Sequence, residues 1–232
     1  MKVAIMQPYF MPYIGYFQLL NAVDKFIILD DVNFIKKGWI NRNTILINGK
    51  EFLFSIPLKG VSQNKVINQI EIDNNSSWKT NLLKTITLSY KKAPFFNEIY
   101  SLIEDLLLQE ESNLVKFIAY SLQKTCNFLS IQTMILISSE IKKDNDLKGQ
   151  DRIIEICKKV NATNYINAIG GTALYDEIFF FKHNISLNFI KSNEIIYSQF
   201  KNEFIPWLSI IDIMMFNSPE RIKNYLNQYE LI

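Results

Sequence analysis

The chain has 232 residues, enough to bury a substantial core, and its 48% apolar and 13% aromatic content is that of a folded globular protein rather than a disordered or fibrous one. A net charge of +2 with both signs interspersed gives no general electrostatic case for a nucleic-acid or membrane-surface partner, so any anion must be bound locally. The start "MKVAIMQP" is too short for the apolar core of a signal peptide, no run approaches the roughly 18 apolar residues of a membrane span, and a cytoplasmic protein is expected.

Val3 to Met6 reads as a buried strand, Gly15 to Val23 as a helix and "KFIILDD", Lys25 to Asp31, as a second buried strand, which together make a βαβ unit. Asn48 and Gly49, between "NTILI" and "EFLFSIPL", are the strongest short hairpin signal and predict an inserted antiparallel ribbon. Asn68 to Ile72 adds a short strand. From Ser76 to about Leu129 three helical patterns follow, the middle one opened by Pro94 and the third by Ser112 as its N-cap. After them "TMILIS", a helix near Asp151 to Val160, "NYINA", a helix near Thr172 to Phe181 and "ISLNFI" restore strand–helix alternation, for which parallel crossover units are the economical reading. A helix from Ser209 to Phe216 and a last one from Pro219 to Tyr229, capped by Ser218, close the chain. The predicted fold class is α/β, with a Rossmann-like, mostly parallel sheet carrying an inserted β-hairpin. Residues 1–232 form one domain in this reading, with a helical insert or cap at 76–130.

Cys126 and Cys157 continue apolar helical patterns and are expected to be buried, reduced thiols. His183 is the only histidine, which excludes a multi-histidine zinc site, and its place at a predicted helix end suits satisfying terminal carbonyls.

In an open parallel sheet, ligands sit beyond the carboxyl ends of the strands, and here those places hold "QPYFMPYIG", "DDVNFIKKGWINRN" and "AIGGT". The second segment gathers Asp30, Asp31, Lys36, Lys37, Trp39, Asn41 and Arg42. A guanidinium offers two parallel donors to a phosphate or carboxylate, so Arg42 with a neighbouring lysine is a candidate anion site; the alternative is a solvated loop feeding the hairpin. Asp30 and Asp31 end an apolar strand, so alternation sends them to opposite sides, with one free to orient Arg42 or Lys36. No third carboxylate lies close by to complete a divalent-metal site, and no metal is expected. Gly170 and Gly171, with Thr172 as cap, suit anion binding at a helix start, although an ordinary strand-to-helix turn explains them better. Ser209 and Asp212 read as a capping box.

The segments "QPYFMPYIGYF", "ILDDVNFIKKGWINRN", "SIPL", "DRIIEICKKVNATNYINAIGG" and "YSQFKNEFIPWLSIIDIMMFN", in that order over nearly the whole chain, resemble the WbqC-like family. Proteins of that family are typically encoded among bacterial surface-polysaccharide genes, and some are labelled glycine or acyl transferases for amino sugars. The resemblance marks Gln7, Pro8, Tyr9, Pro12, Gly15, Asp30, Asp31, Trp39, Asn41 and Arg42 as motif positions without assigning a role to any. A fainter likeness is to nucleotidyltransferases of the HxGH type, where "YIGY", Tyr13 to Tyr16, takes the place of the motif. Tyrosine replaces both histidines, and a phenol with a pKa near ~10 never becomes the cationic partner of a phosphate.

The resemblance therefore implies a transferase that joins a small acyl or aminoacyl group, such as glycyl, to a nucleotide-linked amino sugar in O-antigen or other surface-polysaccharide biosynthesis. Its alternative is a non-catalytic nucleotide-sugar or polysaccharide-assembly binding protein. On the first reading Tyr9, Tyr13 and Tyr16 offer stacking faces with hydroxyl tips, Gln7 and Trp39 join them, Pro8 and Pro12 stiffen the backbone, and Gly15 allows close approach. Arg42 with Lys36 or Lys37 holds the diphosphate, and Asp30 or Asp31 is the base that takes the amine proton. The expected partners are the nucleotide sugar and an activated acyl or aminoacyl donor; no carrier or ATP motif is present, and no cofactor is identified.

Overall fold

The computed structural model describes every residue except Asn202. It has a mixed α/β fold. Strand β1, Lys2–Met6, leads through helix α1, Ile14–Asn21, to β2, Lys25–Ile28. A hairpin of β3, Arg42–Ile47, and β4, Lys50–Ser55, follows, and both of its turn residues, Asn48 (φ 50) and Gly49 (φ 73), take the positive φ that a two-residue turn of this kind demands. Short β5, Leu58–Lys59, pairs with β6, Glu71–Ile72, so the Asn68 to Ile72 strand is reduced to its last two residues after a 3-10 turn. Then come α2, Trp78–Tyr90, α3, Phe96–Leu108, and α4, Leu114–Phe128. The cap of α4 is Asn113, whose side chain accepts from the Lys116 amide at 3.1 Å, one residue later than expected.

Strand β7, Met134–Ile137, α5, Gly149–Lys159, β8, Asn164–Ala168, α6, Glu177–Lys182, and β9, Ser186–Ser192, restore the alternation, and α7, Ile210–Phe216, α8, Pro219–Tyr225, and β10, Tyr229–Leu231, complete the chain. The last helix is shorter than its pattern suggests. Residues 229–231 pair antiparallel with β9 instead, and Gln18, fully buried on α1, holds the turn before them by donating to the carbonyls of Tyr225 and Gln228 at 2.8 and 2.9 Å.

The main sheet has the order β10-β9-β8-β1-β2-β7, parallel except at β10. Both faces are covered, as the continuous apolar runs of its strands require. Along β1 and β2 the side chains alternate: Val3, Ile5 and Ile27 pack with Ile153, Cys157 and Phe180 from α5 and α6, whereas Ala4, Phe26 and Ile28 pack with Phe17 and Leu20 of α1. Each such fully buried side chain contributes about 1.5–3 kcal/mol. The larger core runs without a break into the hairpin, the three helices α2 to α4 and α7. Cys126 and Cys157 are buried in these cores, and desolvation pushes both thiols up to about 12. Among the described residues no helix is long and apolar enough to cross a membrane.

Ser209 caps α7 through its hydroxyl, but Asp212 does not complete a capping box. Its buried carboxylate accepts from the hydroxyls of Tyr90 at 2.7 Å and Tyr197 at 2.6 Å and from the Gln199 amide at 2.8 Å, while the Ser209 amide that a capping box would engage donates to the Thr44 carbonyl at 2.9 Å. Desolvation raises the Asp212 pKa above 3.8 despite these three bonds. A folded-state pKa above the unfolded one means that this group's contribution is largest at the acid end and declines as pH rises through the raised value. Urea unfolding of the wild type and Asp212→Asn across the range upward from pH 3.8 should therefore show the wild type losing stability relative to the variant as pH rises. A difference that grows in the other direction would mean that the bonds, not burial, set this pKa.

Candidate functional site

The strand order reverses direction between β1 and β8: β2 and β7 follow on one side, β9 and β10 on the other. At such a switch point the connections leave in opposite directions and open a crevice. A cleft of about 640 Å³ lies there, lined by Met6 at the end of β1, Gln7 to Tyr9 and Tyr13 from the β1–α1 connection, Gly15 and Tyr16 at the start of α1, Gly38 to Ile40 from the loop after β2, Asn167 and Ala168 at the end of β8, and Gly170, Gly171, Leu174 and Tyr175 beyond it.

The β1–α1 connection is held open by bonds at both ends. The Tyr16 hydroxyl donates to the Gln7 carbonyl at 2.9 Å, the Phe10 amide to Ile40 at 2.9 Å and the Ile210 amide to Pro12 at 2.8 Å. Met11 between them is left-handed (φ 44), and its carbonyl accepts from Asn43 and Ser209. Gly15 leaves room for the Tyr13 ring where it stands: a Cβ there would lie 2.3 Å from that ring and make it move. Tyr9 meets Tyr16 edge-on at 6.0 Å and Trp39 at 6.3 Å, so these rings form one aromatic wall. Burial raises the phenol pKa of Tyr9, Tyr13 and Tyr16, slightly offset at Tyr9 by Arg42 and at Tyr13 by Ser192, and all three stay protonated donors at neutral pH.

Of the residues singled out in the sequence, the structure brings Gln7, Pro8, Tyr9, Tyr13, Gly15, Tyr16, Trp39, Gly170 and Gly171 onto this cleft. Lys36, Lys37, Asn41 and Arg42 line a neighbouring groove of about 370 Å³ between the loop after β2 and the hairpin base. Trp39 joins the two, since the Arg42 guanidinium lies 5.3 Å above its ring. Arg42 donates from one Nη to the Lys37 carbonyl, and its Nε–H is buried without a protein partner. Asn41 is committed to the hairpin base, exchanging bonds with Ile56 through side chain and backbone at 2.8 Å each.

Asp30 and Asp31 line neither hollow. Both follow the last paired residue of β2, so alternation no longer governs them, and both turn to the segment after β7. Asp30 accepts from the Ser139 amide at 2.9 Å and hydroxyl at 2.6 Å; Asp31 accepts from the Ser138 hydroxyl and pairs with Lys143 at 2.6 Å, with Arg152 reaching the Asp31 carbonyl at 2.7 Å. Neither orients Arg42 or Lys36. Breaking a buried pair such as Asp31 with Lys143 costs about 3–5 kcal/mol, so these acids fix the loop that carries Trp39.

Gly170 and Gly171 lie in a 3-10 turn, Ile169–Leu174, and not at a helix start; the cap of α6 is Asp176, which accepts from the Ile178 amide at 2.9 Å. Gly171 matters sterically, because a Cβ there would press on the Asn167 side chain at 3.2 Å. Asn167 itself, oriented by the Tyr165 hydroxyl at 2.8 Å, and Tyr175 line the cleft without having been singled out. Their positions at and after a strand's carboxyl end were the available signal. His183 sits at the C-cap of α6 with its ring 5.1 Å from Phe179. A separate hollow of about 520 Å³ between α2 and α3 carries none of the predicted site residues.

A model of the WbqC-like protein family matches residues 7–224. The chain belongs to the WbqC-like protein family. It is also 29% identical over 229 residues to an uncharacterized protein of Mycobacterium tuberculosis, covering 97% of each chain. No solved structure matches it. The matched span of the WbqC-like family begins at Gln7 and takes in all of the cleft's lining except Ile5 and Met6 on β1.

The bonding separates the three cleft tyrosines. Tyr16→Phe strands the part-buried Gln7 carbonyl and should cost about 1–3 kcal/mol of stability, whereas Tyr9→Phe should leave the melting temperature near wild type. Thermal unfolding of both variants checks this; equal losses would mean that Tyr9 is core packing rather than cleft wall.

Proposed function

We propose that the protein is a transferase that joins a small acyl or aminoacyl group, such as glycyl, to the amine of a nucleotide-linked sugar in the assembly of a bacterial surface polysaccharide. What supports the ligand class is a single juxtaposition: an aromatic cleft at the sheet's switch point, lined by Trp39, lies beside a groove bearing Lys36, Lys37 and Arg42, with the Arg42 guanidinium over the Trp39 ring. A nucleotide sugar has matching parts, rings for the aromatic faces and a diphosphate for the cations. The strand order supports a Rossmann-like reading of the whole chain, 1–232, as one α/β domain with 76–130 as its helical insert.

In this reading the cleft's phenols act as neutral donors. Amide formation places negative charge on the acyl oxygen in its tetrahedral intermediate, and hydroxyls kept protonated by burial suit that charge. Asp30 and Asp31 are positioning residues and not the base, since their carboxylates are engaged by Ser139 and Lys143. That same engagement favours a second reading, a non-catalytic nucleotide-sugar binding protein. Turnover of a nucleotide-linked amino sugar with candidate acyl donors separates the two.

Arg42→Ala should weaken nucleotide-sugar binding by about 1.5–3 kcal/mol, the range for hydrogen bonds to charged groups, without unfolding the protein. Calorimetry that finds equal affinity in wild type and variant would remove Arg42 from the site and with it the case for a diphosphate in this groove.

A further inference from the structure

A further hollow, of about 270 Å³, opens on the other side of Tyr13, which lines both it and the cleft. We propose that this hollow is a subsite for the ring of an amino sugar, with the sugar's ammonium against Glu194. The inference deepens the reading above and rests on it for the identity of the occupant.

Its walls are mostly apolar, with Ile14, Ile195 and Leu208 among them, and two further groups stand out. Tyr13, Tyr197, Phe204 and Trp207 present aromatic faces, and Asn193 and Glu194 form a polar edge. A pyranose has the complementary surfaces, C–H faces that pack on rings and an edge of hydroxyls or an ammonium that needs hydrogen-bond partners. The volume lies below the roughly 300–1,000 Å³ of drug-sized sites and suits a single ring. Glu194 is exposed and makes no ion pair among the described residues, so its charge is available to a cation.

The hollow is built rather than incidental. Tyr197 is pinned through its hydroxyl to the buried Asp212 carboxylate at 2.6 Å. Gln199 donates to that carboxylate at 2.8 Å and grips both backbone groups of Ile205, at 2.7 and 3.0 Å, which fixes the turn into Phe204 and Trp207. Trp207 itself is 66% exposed, left-handed (φ 62) and braced edge-on by Tyr13 at 5.7 Å. Core packing does not account for a large ring held out in a strained backbone, and such residues gather at ligand clamps.

The test uses ligand-observed saturation-transfer NMR with free glucosamine and N-acetylglucosamine on the full chain, with a nucleoside diphosphate titrated separately by calorimetry. Glucosamine should bind the wild type, lose about tenfold or more of its affinity in Glu194→Gln, the lower bound for a charged hydrogen bond, and lose its signal in Trp207→Ala. N-acetylglucosamine, which carries no ammonium, should bind more weakly and be indifferent to Glu194→Gln. Nucleoside diphosphate binding should be the same in all three proteins, and both substitutions lie at the surface, so melting temperatures serve as the check on folding. Absence of glucosamine binding, or binding unaltered by both substitutions, overturns the subsite. Glucosamine binding in a protein that fails to bind the nucleoside diphosphate upholds the subsite and sinks the nucleotide reading of the cleft.

Discussion

The carbonyl of Met11 accepts two side-chain hydrogen bonds, from Asn43 at the root of the hairpin and from Ser209 at the cap of α7, and the candidate site depends on that convergence. Met11 is left-handed without being glycine, a conformation that costs on the order of 1–3 kcal/mol and persists only where surrounding structure over-determines it. Here it does. The amides of Phe10 and Ile210 bond to Ile40 and Pro12, so two segments distant in sequence, 40–43 and 209–210, meet on one short loop. The reversal at Met11 is what sets Tyr9 on one side toward Trp39 and Tyr13 on the other toward Trp207. Without it the prolines and tyrosines of this stretch would be an ordinary strand-to-helix turn.

From that loop the aromatic surface extends both ways. Toward the hairpin it passes from Tyr9 to Trp39 and ends under the Arg42 guanidinium; toward the C-terminal segment it passes from Tyr13 to Trp207 and ends near Glu194. Cation at one end and anion at the other is a polarity that a ligand with a phosphate and an amine would match. One acidic pair and one single buried acid support this surface. Asp30 and Asp31 tie the loop bearing Trp39 to the connection after β7, and Asp212 ties Tyr197 and Gln199 to α7.

What could be read from the sequence was whatever a short window determines. The βαβ start, the Asn48-Gly49 hairpin, the Ser218-Pro219 helix start and the aromatic content of the first loop all declare themselves within a few residues. Strand order does not. Ser139 reaches Asp30 across 109 residues because β7 returns beside β2 only after the hairpin and three helices, and no local pattern marks that return. The same blindness made Asp212 look like half of a capping box, when its donors Tyr90 and Tyr197 come from other elements. Tyr229 ends a helical pattern on paper but pairs, together with residues 230–231, with the free edge of β9, where ladder hydrogen bonds outweigh helix propensity. Lys36, Lys37 and Arg42 line one groove, which is distinct from the cleft that Trp39 lines.

Hydrogen exchange of the full chain, with and without a nucleotide-linked amino sugar, measures the central claim directly, because it reports which backbone segments a ligand orders. Slowed exchange is expected at 7–16, 38–40 and 167–175, the three segments that line the cleft at the switch point. Protection confined to the hollow between α2 and α3, with these three segments unchanged, would contradict it.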